Sequence, residues 1–205
     1  MLQKTPSIVG RGHRRIPTGA ADLVVVNTEF TGVNASIEVS SPAFDYGERI
    51  PAKYTADGEG LSPPIEWSRT PPNAEAIVLL IEDPDTYPQA AMGEVDAAAA
   101  RPPHPFVHAL VWDLPGRDAS LPEGALPSAM HAASAHALRR SSRLSTTYVP
   151  PDPPPGDGRH RYVIQVLALD MAPRFEAPPG RETLMQKIAG HVIAKGLLIG
   201  VYQRP

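Results

Sequence analysis

The sequence predicts a mostly β protein, and three observations support this fold class. The chain has 25 prolines and 16 glycines in 205 residues, which favours many turns and few long helices. Short aliphatic and β-branched runs recur along it, separated by turn residues. A hydrophobic content of 42% at this length is enough to build a substantial core. We therefore expect strands to dominate, with a few short helices.

The first 21 residues differ in composition from the rest of the chain. They mix Arg11, Arg14 and Arg15 with glycines and prolines, which predicts a flexible N-terminal arm before a single domain over residues 22–205. No apolar stretch reaches the roughly 18 residues of a membrane helix, and no apolar export signal opens the chain. We expect a cytoplasmic protein without an integral membrane segment.

The charge and the cysteine count exclude several classes of function. A formal net charge of −3 and a pI near 6.2 provide no general attraction to nucleic acid, so we expect no nucleic-acid partner. Because the net charge is negative, any anion site must be formed by a local group of residues. The absence of cysteine excludes disulfides, thiolate zinc sites and cysteine nucleophiles.

The central element of the predicted fold is the aliphatic run Ile77–Ile81. It is too short for a comfortable helix and shows no alternation, which is typical of a strand covered on both faces. Asp83, Pro84 and Asp85 follow it directly. Because proline fixes φ and lacks an N–H, it ends the ladder and holds the two acids close together. Such a pair needs cations, hydrogen-bond donors or a shared proton from elsewhere in the chain.

A second strand is predicted over Phe106–Pro115, where polar and apolar residues alternate imperfectly. The alternation places Phe106, His108 and Leu110 on one face, so we expect the imidazole to be at least partly buried. Trp67, in the extended segment before the first acidic turn, is expected in the core. Residues 86–105 are expected to form a long loop, and residues 128–142 either a short helix or a surface excursion.

The C-terminal half is predicted to contain a rigid loop, a strand, a helix and a last strand. Residues 148–155 read YVPPDPPP, which is too rich in proline for a regular ladder, and this segment leads to His160. A second core strand follows over residues 162–170. Over residues 180–195, apolar positions at helical spacing predict a helix that runs through Val192 to Lys195. Gly196 then leads into a strand over residues 197–202.

Several blocks in one order resemble the phosphatidylethanolamine-binding protein family, in particular its bacterial Raf kinase inhibitor-like members. The resemblance covers most of residues 41–204. The blocks are YTADGEGLSPPIEW, DPD, FVHALVWDLP, GRHRYVIQVLALD and GHVIAKGLLIGVYQR. The resemblance implies a large antiparallel β-sheet packed on a smaller one, with a small anion-accepting pocket at one end. It also suggests phospholipid binding and a regulatory role.

The resemblance carries the family's ligand pocket onto eight positions of this chain. The implied ligand-binding residues are Asp83, Pro84, Asp85, His108, Pro151, Pro153, His160 and Tyr162. The chain departs from the family pattern at some neighbouring positions. Pro150 stands where the pattern has glycine, Asp152 replaces an uncharged residue, Thr86-Tyr87 follows the acids, and Ala109 replaces tryptophan. These changes bear on the shape and charge of the pocket mouth.

Two carboxylates and two imidazoles suit a zwitterion such as phosphoethanolamine. The acids would face its ammonium group and the histidines its phosphate. A carboxylate beside each histidine would raise the imidazole pKa, so binding is expected to weaken as the pH rises. We therefore expect a small anionic or zwitterionic ligand, such as phosphate, phosphoethanolamine or a lipid headgroup, and no cofactor.

The sequence leaves alternatives open. The same acids and histidines could hold a transition metal, although nothing in their spacing requires one, and we expect no metal. A hydrolase acting on a phosphoester or ester is the principal alternative, because aspartate and histidine can perform general acid–base catalysis. The nucleophile-elbow, zincin and phosphate-loop signatures are absent from the sequence. A kinase or protease inhibitor, with a protein target, and a homodimer also remain open.

Overall fold

The computed structural model describes Leu23 and residues 32–86, 105–128 and 147–205. Strands dominate these ranges, which confirms the predicted fold class. The elements in chain order are β1 (Glu38–Ser40), a 3-10 turn (Ala52–Tyr54), β2 (Ile65–Ser68), β3 (Ala76–Asp83), β4 (Phe106–Pro115), β5 (Ala119–Leu121), β6 (His160–Leu169), α1 (Arg181–Ile188) and β7 (Val192–Tyr202).

The strands form two antiparallel sheets of unequal size. The larger has four strands in the order β4-β3-β6-β7, and the smaller has three in the order β1-β2-β5. Side chains from both sheets share one buried core, which includes Trp67 of β2 as expected. The expected large sheet packed on a smaller one is confirmed.

Strand β3 lies inside the larger sheet, and all eight of its residues are buried. Its side chains alternate between two cores, as the pleat of a strand requires. Ile77, Leu79 and Ile81 belong to the core between the sheets. Val78 and Leu80 belong to a second core, on the face that packs against the apolar side of α1. The predicted strand covered on both faces is confirmed.

Strand β4 departs from the predicted alternation at His108. Val107 and Ala109 lie opposite consecutive residues of β3, so His108 between them is the extra residue of a β-bulge. The bulge lets His108 join Ala109 on the side of the core between the sheets, whereas Leu110 packs on the opposite face. The prediction that His108 and Leu110 share a face is therefore wrong. The predicted burial of His108 is confirmed, since only 4% of its surface is exposed.

The predicted helix over residues 180–195 is shorter than its apolar spacing indicated. Helix α1 ends at Ile188, Gly190 adopts a left-handed φ of 78°, and β7 begins at Val192. Val192 and Lys195 are therefore strand residues, because their pairing with Leu169 and Leu167 of β6 outweighs the helical spacing. Gly196 lies within this strand and does not end a helix.

Some sequence predictions fall on residues outside the described ranges. These are the arm over residues 1–21 and most of segments 86–105 and 128–142. Within the described ranges, no helix combines the length and the apolar content that a bilayer crossing requires.

Candidate functional site

His108 is fixed by two hydrogen bonds to Val149, which lies 41 residues away in the sequence. Its Nδ1 lies 2.6 Å from the carbonyl oxygen of Val149, and the Val149 amide donates to the His108 carbonyl at 2.8 Å. Because a carbonyl can only accept, Nδ1 must carry a proton. The other ring nitrogen, Nε2, is buried and has no hydrogen-bond partner among the described residues.

The ring of His108 lines a small pocket in the core between the sheets. The other lining residues are mostly apolar: Ile50, Pro63, Ile81, Tyr148, Pro151, Tyr162 and Ile164. The cavity volume is about 10 Å³, roughly enough for one water-sized group. The rings of Phe106 and Tyr162 contact His108 edge-on, with centroids 4.8 and 5.0 Å away. Phe106 is 43% exposed, which leaves an apolar side chain on the surface beside this histidine.

Burial decides the charge of His108. It lowers the pKa of the imidazole below its ordinary value, and the hydrogen bond to Val149 and the field of Asp83 only partly oppose this shift. The expectation that a neighbouring carboxylate raises the pKa of both site histidines is therefore wrong for His108. A neutral ring with its proton on Nδ1 presents an acceptor at Nε2.

His160 lies between two carboxylates, and its pKa shifts in the opposite direction to that of His108. Its Nδ1 is 2.8 Å from Oδ2 of Asp83, and its Nε2 is 3.1 Å from Oδ2 of Asp157. The hydrogen bond to Asp83 is the main cause that raises the pKa of His160, despite the opposing effect of burial. The sequence expectation therefore holds for this histidine.

Asp83 is saturated with hydrogen bonds from the protein. Its Oδ1 accepts from the amides of Asp85 and Thr86, and its Oδ2 from the Thr86 hydroxyl and from His160. Burial alone would raise the pKa of Asp83, but these hydrogen bonds outweigh it and hold the pKa below its ordinary value. A carboxylate offers about four lone-pair sites. A ligand ammonium would therefore have to replace one of these donors.

Asp85 is paired with Arg161. Its Oδ2 accepts from the Arg161 backbone amide at 2.9 Å and from Nε at 2.7 Å, while its Oδ1 accepts from Nη2 at 2.5 Å. With Pro84 between them, the two acids thus have separate cationic partners, His160 for Asp83 and Arg161 for Asp85. The partners that this like-charge pair was expected to need come from the start of β6.

The prolyl segment, residues 148–155, closes the pocket and is held by hydrogen bonds to two of its carbonyl groups. Pro151 lines the cavity, and its carbonyl accepts from the Ala56 amide at 2.9 Å. The buried Pro153 does not line the cavity, and its carbonyl accepts from Arg204 at 3.3 Å. Arg204 also forms an ion pair with Asp152, so the negative charge of Asp152 has a cationic partner.

The structure divides the predicted residues into three that line the pocket and five that do not. His108, Pro151 and Tyr162 line the pocket. The others are not among the lining residues: Asp83, Pro84, Asp85, Pro153 and His160. Electrostatic interactions with His108 nevertheless link Asp83 and His160 to the pocket. Within the described ranges, no three acidic or histidine side chains are grouped as metal ligands would be.

Sequence reasoning did not identify several residues that complete the site. Asp157 and Arg161 flank His160, so a search near the histidine for charges that could pair with it or with the acids would have found them. Tyr148, Val149 and Arg204 gave no such signal. Their roles depend on contacts across the fold, such as the hydrogen bond from the Tyr148 hydroxyl to the Tyr54 carbonyl at 2.8 Å.

Comparison with known proteins identifies relatives along most of the chain. The family model for phosphatidylethanolamine-binding protein matches residues 40–203. A UPF0098 protein of Chlamydia trachomatis is 33% identical over 168 residues, which cover 82% of this chain and 99% of the relative. A UPF0098 protein of Aquifex aeolicus is 32% identical over 184 residues, covering 88% and 97%.

Solved structures agree with these relatives. A crystal structure of a phosphatidylethanolamine-binding protein homolog from Chlamydia trachomatis has a TM-score of 0.63 and 32% identity, covering 84% of this chain and 99% of the other. YbcL of E. coli also has a TM-score of 0.63, covering 83% and 100%, and at 18% identity it supports the fold alone. Together with the two-sheet architecture, these matches show that the chain belongs to the phosphatidylethanolamine-binding protein family.

Proposed function

We propose that this protein binds a small phosphate-bearing or zwitterionic ligand of the phosphoethanolamine type, with one oxygen of the ligand in the pocket at His108. The observation that carries the proposal is Nε2 of His108, a buried polar atom in an apolar pocket without a protein partner among the described residues. Buried polar atoms are almost always hydrogen-bonded, so an unsatisfied one in a cavity indicates a binding site.

The composition of the pocket supports a small-ligand site. Such sites combine apolar walls with a few polar groups that orient the ligand. Here the walls include Ile50, Ile81 and Ile164, while His108 and Tyr162 supply polar atoms. Because the cavity holds about one water-sized group, it fits a single oxygen of a phosphoryl group, and the rest of the ligand would extend outside. The name of the matching family supports the same ligand class.

The other residues expected to bind the ligand take a supporting role in this proposal. Asp83 and Asp85, joined by Pro84, hold His160 and Arg161 at the start of β6. Pro153 helps to hold the prolyl segment through its carbonyl. The acids, their two cationic partners and Pro153 would in this way position Tyr162 and Pro151 against His108. Replacing one of these supporting residues should therefore weaken binding indirectly, by disturbing the pocket walls.

An NMR titration with phosphoethanolamine tests the proposal. We expect the His108 and Tyr162 side-chain resonances to shift on binding, and we expect His108→Phe to weaken binding at least tenfold. His191→Phe is the matched control, because His191 is exposed and pairs with Asp170 away from the pocket lining. Binding that leaves His108 resonances unchanged, or that survives His108→Phe, would overturn the proposal. Phosphoester turnover that is lost in His108→Phe would favour the hydrolase instead.

A further inference from the structure

We propose that the pocket selects a ligand group that carries its own proton: a singly ionised phosphoryl group, whose P–OH donates a hydrogen bond to Nε2 of His108. This inference rests on the proposed function and adds the protonation state of the ligand. A fully ionised phosphoryl group has only acceptors, so it would meet the Nε2 lone pair without a proton between them.

The geometry of His108 sets this requirement. The short contact between Nδ1 and the Val149 carbonyl fixes one ring proton, and the hydrogen bond from the Val149 amide to the His108 carbonyl holds the two backbones together, so the ring cannot turn over without losing the Nδ1 hydrogen bond. In the neutral ring, Nε2 is then the acceptor. A second ring proton would place a cation in a pocket whose walls are mostly apolar.

The titratable groups near His108 also disfavour a doubly charged ligand, because none of them supplies an uncompensated positive charge. Strand β3 contributes Asp83, strand β6 contributes His160 and Tyr162, and the prolyl segment contributes Tyr148. His160 is held between two carboxylates, so its charge is already compensated. Burial raises the pKa of both tyrosines, which keeps their hydroxyls neutral.

Two arginines beside the site residues are compensated in the same way. Arg161 pairs with Asp85, and Arg204 pairs with Asp57 and Asp152. A dianion at His108 would therefore add two negative charges where Arg161 and Arg204 already have carboxylate partners. A singly ionised phosphoryl group adds one negative charge and supplies the missing donor, so it satisfies both conditions.

Methyl phosphate and methyl sulfate form a probe pair that isolates this proton. A phosphomonoester loses its second proton with a pKa of about 6. At pH 5 the two esters therefore have nearly the same charge and shape, but only methyl phosphate has an O–H. At pH 8 methyl phosphate is mostly dianionic, whereas methyl sulfate keeps a single charge at both pH values.

Titration calorimetry with both esters at pH 5 and pH 8 tests the inference on the full chain. At pH 5 we expect methyl phosphate to bind at least about tenfold more tightly than methyl sulfate. Between pH 5 and pH 8 its affinity should fall by roughly a hundredfold, following the fraction of the monoanion. In the complex at pH 5, the ¹⁵N resonance of Nε2 should remain that of an unprotonated, hydrogen-bonded nitrogen.

The outcomes separate this inference from the proposed function. Equal binding of the two esters at pH 5, tighter binding of the sulfate, or a protonated Nε2 in the complex would overturn the inference and leave the phosphoryl site intact. Binding of neither ester at any pH would overturn both. The comparison uses the unaltered protein, so it does not depend on the folding of a variant. His191→Ala should reproduce the same pH profile.

Discussion

Nδ1 of His160 lies 2.8 Å from Oδ2 of Asp83, and both side chains are almost completely buried. The pair joins the first residue of β6 to the last residue of β3, so it fixes the strand ends beside the pocket. Its protonation state is therefore coupled to stability as well as to the shape of the site.

Protein stability should depend on the charge of His160. Its pKa is raised in the folded state, so its stabilising contribution is complete below the ordinary histidine pKa of about 6.5 and is lost as the pH rises through the folded-state value. We expect that in His160→Asn the free energy of unfolding no longer shows this decrease between pH 6 and 9. The substitution should also destabilise the protein by about 3–5 kcal/mol below pH 6, because a buried carboxylate loses its cation.

Urea unfolding from pH 5 to 9 measures this effect. His191→Asn is the control, since it removes an exposed histidine that also pairs with an aspartate. An unchanged slope of stability with pH in His160→Asn would show that another group causes the dependence. His108 is a separate contribution of opposite sign: its lowered folded-state pKa makes stability fall as the pH drops below about 6.5.

Arg204 should control the order of the prolyl segment more than the stability of the fold. It pairs with Asp57 and Asp152, which are largely on the surface, so Arg204→Ala should cost no more than about 1 kcal/mol. Because the same guanidinium reaches Pro153, we expect faster amide exchange at Asp152 and weaker ligand binding. Hydrogen exchange followed by mass spectrometry measures the first effect.

Arg69→Gln provides the control for this prediction, because Arg69 forms an exposed ion pair with Glu38 of β1. It should leave exchange in residues 150–158 unchanged. If Arg204→Ala also leaves this exchange unchanged, the remaining hydrogen bonds, such as those from Ala56 to Pro151 and from Val149 to His108, are sufficient to hold the segment.

Gly196 should tolerate no side chain. A Cβ at this position would lie 2.2 Å from the Ile37 carbonyl oxygen, a backbone atom that cannot move without shifting the chain. We expect Gly196→Ala to destabilise the protein by about 1–3 kcal/mol or more. Gly200→Ala should cost less, because its Cβ would meet side-chain atoms of Ile50 and Phe44 and no backbone atom among its nearest neighbours.

Thermal or urea unfolding compares these two variants with Gly180→Ala. Gly180 precedes α1 and has open space where a Cβ would lie, so its replacement should change stability by only about 0.5 kcal/mol. Equal effects of all three substitutions would contradict a specific steric requirement at Gly196.

Arg181 should stabilise the fold as the cationic partner of the buried Glu82. Oε1 of Glu82 lies 2.5 Å from Nε of Arg181, and its Oε2 lies 2.5 Å from Nε2 of Gln165, with Glu82 completely buried. Arg181→Met removes the cation that ties α1 to β3, and we expect a loss of about 3–5 kcal/mol in urea unfolding. Arg181→Lys should lose less, since it keeps the charge. A loss below 1 kcal/mol in the methionine variant would contradict this role.

The burial of β3 could be predicted from local sequence, whereas the order of the strands around it could not. The run Ile77–Ile81 identified a strand with two buried faces, because alternate side chains of one strand enter two different cores. The end of helix α1 could not be predicted in the same way. Val192 and Lys195 satisfy a helical spacing, but the ladder with β6 places them in a strand.

The fold class, the buried central strand and the acids, prolines and histidines that resemble the family's pocket could be predicted from local sequence, because these features depend on neighbouring residues and on motif order. Which of those side chains line the pocket, and which are already hydrogen-bonded, follows only from the assembled fold. The cause is distance along the chain. Val149 sets the proton of His108 from 41 residues away, and Asp83 sets the charge of His160 from 77 residues away. Hydrogen bonds and burial of this kind exist only after the strands have assembled.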